Sequence, residues 1–163
     1  MSDQGMDREM DRMEATVEVE APVTAVYNQW TQFEEFPRFM SGVESVTQTD
    51  DTHVHWVAEI AGKRKEWDAE ITQQLPDKEI DWIGFGDADN RGRIVFEPVD
   101  GRTRVTLMLD HEPQGVAEKV GKVLGIPRAQ VENDLERFKS FLEERGRETG
   151  GWRGEVRQGD VTA

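Results

Sequence analysis

Apolar and polar residues alternate in "ATVEVE", where Ala15, Val17 and Val19 interleave with Thr16, Glu18 and Glu20. A period of two belongs to a strand with one covered face and one wet face, so the first strand is predicted here. The period then lengthens. Val23, Val26, Tyr27 and Trp30 follow Pro22 at helical spacing, and proline suits a first helical turn, which predicts a short helix to about Trp30. Next, "WTQFEEFPRFM" places Trp30, Phe33, Phe36, Phe39, Met40 and a proline within a few residues. Pro37 disfavours helical backbone at Phe36, so a second helix should be short and end there.

From Val43 to Pro113 the chain reads as strands cut by turn signals: "TDD" near Asp50, "AGK" at Gly62, "PDK" at Pro76, "DADN" near Asp89 and "DGR" at Gly101. Such close spacing favours an antiparallel meander over parallel crossovers. Val54, Trp56, Ala58 and Ile60 share one phase of a strand, and Trp67, Ala69 and Ile71 share one phase of the next. The opposite phases carry His53, His55 and Glu59, then Glu66, Asp68, Glu70 and Thr72. The sheet therefore has one covered and one solvated face. After it, Val131, Leu135, Phe138 and Leu142 form one stripe with Phe141 at its margin, predicting a long amphipathic helix that covers the sheet. Val116, Val120, Val123 and Leu124 repeat the pattern before Gly125 and Pro127, so a kink or a second helix is expected there. Trp67 and Phe138 are expected to face each other across the interior.

Residues 1–13 lack a clear period, and the end from 147 to 163 is rich in glycine and charge. Both are expected to be mobile tails around a single domain over 14–146. The 163 residues carry 34 acidic against 20 basic side chains, a formal net charge of −14. Phosphate backbones and anionic lipid would repel such a chain, so nucleic acid is not an expected partner. The absence of cysteine excludes disulfides and thiolate chemistry. The start "MSDQGMDREMDRME" has neither a signal peptide's basic flank nor its apolar run, and no apolar stretch is long enough to span a bilayer. A cytoplasmic location is expected.

Titratable groups on the covered face are few. His111 is in phase with Val105, Leu107 and Leu109 at the end of the last strand, where it could serve as a base at a cavity mouth or be a surface histidine. His53 and His55 have the spacing of two metal ligands, with Glu66, Asp68 or Glu70 nearby on the next strand, but they belong to the solvated phase and lack a defined third ligand. No metal or other cofactor is expected. "GFGDADNRG" leads into a strand rather than a helix and carries no phosphate-binding lysine, so it reads as a hairpin turn. None of the four serines stands in a G-x-S-x-G setting.

A strand, two short helices, six strands and a long C-terminal helix resemble the α+β helix-grip (START/Bet v 1-like) fold. The chain is similar to the polyketide cyclase/dehydrase-like branch of that SRPBCC superfamily. The resemblance is carried by "VEVEAPVTAVYNQWTQFEEFPRFM", "EWDAEI", "GRTRVTLMLDHEP" and "DLERFKSFLEERG", over about Thr16 to Arg145. It implies a curved antiparallel sheet of about seven strands gripping the last helix, with a pocket between them. Its walls would be Trp30, Phe33, Phe36, Phe39 and Met40 from the short helices, Trp56, Trp67, Trp82, Leu107 and Leu109 from the sheet, and Leu135 and Phe138 from the long helix. Each of these could equally be a core plug. Four indoles in so small a domain exceed a minimal core, however, and indoles are large, stiff wall material with one donor. The functions this implies are binding or sequestration of a small hydrophobic or aromatic ligand (polyketide-, lipid- or quinone-like), an aromatase-type cyclase/dehydrase, or a protein-interaction module. The resemblance assigns no catalytic residue.

Overall fold

The computed structural model describes residues 11–60, 62–86, 90–111 and 128–162. Strand β1 (Asp11–Val19) leads into helix α1 (Val23–Trp30) and a 3₁₀ helix (Phe33–Arg38). Six strands follow: β2 (Val43–Asp50), β3 (His53–Ile60), β4 (Lys63–Leu75), β5 (Glu79–Gly86), β6 (Asn90–Val99) and β7 (Arg102–His111). Helix α2 (Arg128–Arg145) precedes two short strands, β8 (Glu155–Arg157) and β9 (Asp160–Thr162). The expected additional helical pattern at Val116–Leu124 and the turn at residues 87–89 lie outside the described residues.

All strand pairs are antiparallel, in the order β1-β7-β6-β5-β4-β3-β2, with β8 joining β4 and β9 joining β8. Among the described residues the sheet is thus the helix-grip sheet with nine strands rather than seven. Its two faces separate by phase as the alternation requires. Met13, Ala15, Val17 and Val19 of β1 are buried, as are Val105, Leu107 and Leu109 of β7 and Val54, Ala58 and Ile60 of β3. The other face carries ion pairs between neighbouring strands, among them Arg93 with Asp81 at 3.0 Å and Arg104 with Glu18 at 3.3 Å. Helix α2 presents Val131, Leu135, Phe138 and Leu142 to the interior and packs against β1.

The second short helix does not stop at Phe36. It runs to Arg38 as a 3₁₀ turn with Pro37 inside it, and the backbone N–H groups of Phe39 and Met40 both donate to the Phe36 carbonyl, at 3.1 and 2.8 Å. Proline needs no bond at its own nitrogen, so the chain closes the turn two and three residues later.

The C-terminal segment also departs from expectation. Composition predicts a mobile tail from residue 147, but residues 147–162 form a strap along α1 and the end of β4. The Thr149 N–H donates to Gln29 Oε1 at 2.8 Å, the Trp152 N–H to Thr31 Oγ1 at 3.1 Å, and Arg153 to Asn28 Oδ1 at 2.7 Å. Val156 is fully buried, and Trp152 packs against the main core. Glycine here serves contact: a Cβ on Gly151 would lie 2.7 Å from the Asn28 side chain. At the other end, β1 includes Asp11 and Met13 is buried, so residues 11–13 belong to the strand although the domain was expected to begin at residue 14.

Candidate functional site

One side of the interior is filled. Tyr27 meets Phe96 edge-on at 5.3 Å between ring centroids, and Phe138 meets Trp30 at 5.0 Å and Phe39 at 5.3 Å. The other side is not. Between β3–β5, the tips of β7, the 3₁₀ helix and the first turns of α2 lies a cavity of about 140 Å³. An apolar cavity of this size holds one benzene-sized ring.

Ten of the twelve expected wall residues border it: Trp30, Phe33, Phe36 and Met40; Trp56, Trp67 and Trp82; Leu107, Leu109 and Leu135. The strand phases deliver the sheet residues. Trp56 and Trp67 are cross-strand partners, and their indoles stack 5.6 Å apart at an interplanar angle of 8°. Phe39 and Phe138 do not border the cavity. Phe138 packs on Trp30 and Phe39, and Phe39 on Phe36, so Phe138 is core beside the cavity rather than a wall opposite Trp67 as expected. One stripe of α2 therefore does two jobs: Val131 and Leu135 are wall, while Phe138 and Leu142 are solid core.

The rim of the cavity is polar. Ser41, Gly42, Glu59, Gln130 and Asp134 gather where α2 meets the chain entering β2. The Ser41 N–H and Oγ donate to Asp134 Oδ1 at 3.0 and 3.2 Å, and Gln130 Nε2 donates to the Ser41 carbonyl at 3.1 Å. The Glu59 N–H donates to the Gly42 carbonyl at 2.7 Å; Gly42 has φ of +85°, and a Cβ there would come within 2.8 Å of the Glu59 carbonyl. Burial raises the Asp134 carboxyl above its ordinary range, against the Ser41 bonds and the nearby Arg137 charge, which lower it. Sequence reasoning missed this rim. Its one legible signal was Gln130 and Asp134 at i and i+4, adjacent to Val131 and Leu135 on the stripe.

The remaining candidates separate. His55 lies between two carboxylates on the outer face, with Nδ1 2.8 Å from Asp68 and Nε2 3.3 Å from Glu66, while His53 turns to Asp50 at 2.9 Å. Hydrogen bonding to Asp68, followed by that to Glu66, raises the His55 pKa against slight burial. The two histidines thus diverge, and among the described residues no cluster of three metal-binding side chains occurs. The backbone of His111 ends β7 opposite Asp11, and its side chain lies outside what the structure describes.

A curved antiparallel sheet gripping a C-terminal helix over an apolar cavity defines the helix-grip class. Within it, the chain belongs to the family of polyketide cyclase/dehydrase and lipid transport proteins, which it matches over residues 19–143. It is 52% identical over 149 residues to an uncharacterized 17.2 kDa protein of Streptomyces lincolnensis, covering 90% of this chain and 99% of that one. Among solved structures, a Deinococcus radiodurans protein is 27% identical with a TM-score of 0.66, covering 83% of this chain and 98% of its own. The ZhuI aromatase/cyclase of Streptomyces sp. R1128 shares the fold at 19% identity and a TM-score of 0.70, covering 88% of this chain and 99% of its own. No helix among the described residues is long and apolar enough to cross a membrane.

Proposed function

We propose that the protein binds and sequesters a small hydrophobic ligand with an aromatic body in the cavity between the sheet and α2. The observation that carries this reading is an apolar void walled by Trp30, Trp56, Trp67 and Trp82 in a domain whose other half is packed solid. Ten of the expected residues would contact the ligand, and Phe39 and Phe138 would support them from behind. A single ring burying on the order of 150 Å² gains about 4 kcal/mol at ~25 cal/mol per Å², which is near-millimolar affinity. A micromolar ligand must therefore extend beyond one ring toward the polar rim, where Ser41, Gln130 and Asp134 can meet a polar substituent. The test is to recover the protein from its own cell and identify co-purified small molecules by native mass spectrometry. A bound aromatic or polycyclic compound is expected. No co-purified mass, together with no shift of indole fluorescence or melting by a hydrophobic ligand library, would overturn the reading.

A second reading, cyclisation or dehydration of a polyketide-like chain in the same cavity, is favoured by Asp134. It is a half-buried carboxyl in the wall whose affinity for its proton is raised, a property of groups that exchange protons with bound substrates. Asp134→Asn separates the two. A carrier still binds its ligand and has no rate to lose, whereas an enzyme using this carboxyl loses ~10²–10⁴ in turnover.

A further inference from the structure

Gly92 is the third residue of β6, directly opposite Trp82 of β5. Its phase is that of Ile94 and Phe96, both buried, so it belongs to the concave face. Its backbone is not among the positive-φ positions, so no left-handed conformation demands glycine there. Space does. A Cβ built on Gly92 would stand 2.3 Å from Cζ2, 2.5 Å from Cε2 and 3.0 Å from Cη2 of Trp82. The six-membered ring of the indole therefore packs directly on the bare backbone of Gly92 in the neighbouring strand. Glycine in a strand interior weakens the strand and commonly marks the close approach of another group, and here that group is a cavity wall.

We propose that Gly92 sets the volume of the cavity: by letting the Trp82 indole pack on the β6 backbone, it keeps that ring out of the space a ligand would occupy. Deepening the ligand-binding reading on which it rests, this assigns size selection to a residue that need not touch the ligand. Trp82 is stiff and its contacting atoms are ring atoms, so a methyl at position 92 cannot be accommodated by a small adjustment. The sheet backbone blocks the ring from below. The indole must shift, and the open space it borders is the void it lines together with Ile71, Ile80, Leu107 and Leu109. The cavity would then fail to admit a one-ring ligand. Conversely, shortening Trp82 extends the void over Gly92 and admits a second ring.

The experiment uses the full chain, with toluene and naphthalene as probes read by indole fluorescence and by melting, and crystal structures of the variants. Gly92→Ala is expected to lift the Trp82 ring into the cavity and weaken toluene binding at least tenfold. Trp82→Leu in the Gly92→Ala background is expected to restore it, and Trp82→Leu alone to favour naphthalene over toluene relative to the wild type. Toluene affinity in Gly92→Ala within twofold of the wild type, or an indole displaced away from the cavity, overturns the proposal. If Gly92→Ala does not fold, Trp82→Leu decides, since an unchanged cavity and unchanged probe preference also overturn it. If the wild type binds neither probe yet the ring rises in Gly92→Ala, the binding reading fails and the role of Gly92 stands.

Discussion

The two halves of the interior are built from the same kinds of residue and differ in what stands behind them. On the filled side, α1, β1, the last turns of α2 and the C-terminal strap bring Val26, Tyr27, Phe138, Leu142 and Val156 to nearly zero exposure. On the hollow side, β3–β5 face the first turns of α2 with Trp56 and Trp82 only partly buried. Trp30 divides them, touching Phe138 on one flank and the cavity on the other. Apolar composition does not distinguish wall from core. A second layer of side chains does, because a ring with neighbours on every side is packed and a ring with a void on one side is free to meet a ligand.

The sharpest test of this contrast is truncation on either side of Trp30. Phe138→Ala should cost about 3–5 kcal/mol in urea unfolding, because it opens a new cavity in full packing. Trp82→Leu should cost less than about 1.5 kcal/mol, because its ring already borders empty space. Similar losses would erase the distinction. Next in size is removal of residues 147–163, which should destabilise the protein by about 2–4 kcal/mol through loss of the Val156 and Trp152 burial. An unchanged melting temperature would mean that the filled side does not need the strap.

A smaller effect concerns the stacked indoles on the hollow side. A double-mutant cycle on Trp56 and Trp67, each to Leu, should return a coupling of about 0.5–1.5 kcal/mol. No coupling would show that the pair is held apart by the cavity rather than stacked at its edge. The last effect is in pH. The Asp134 carboxyl is raised in the folded state, so its contribution to stability is full at low pH and is lost as pH rises through that raised value. Asp134→Asn should remove this loss, giving a variant that gains on the wild type between acid and neutral pH in denaturant titrations. His55 on the outer face provides a control. Its raised pKa makes its contribution present below the ordinary imidazole value and lost as pH climbs through the higher folded one, independently of any ligand. His55→Gln should flatten only that step.

How far this organisation could be read from the chain depends on the range of the interactions involved. The alternation in β1, β3 and β4 and the stripe on α2 determine the sheet faces and the grip helix, because side-chain direction follows from local backbone period. The resemblance to the family was legible in the same local patterns together with "FEEFPRFM". The turn signals also place the strand ends, and the visible exception, the 3₁₀ turn through Pro37, arises because proline tolerates a tighter helix than the one it interrupts. The tertiary structure alone decided the rest. Phe138 and Leu135 sit on one stripe, yet only Leu135 meets the void, since that depends on which rings arrive from the 3₁₀ helix. The strap looked like a tail because its glycines suggest freedom until Asn28 and Gln32 are seen pressing against Gly151 and Gly150. Gly92 read as the end of a hairpin turn, and only the fold places it in β6 with Trp82 packed against it. Each of these turns on the distance between atoms far apart in sequence, a quantity that no local period encodes.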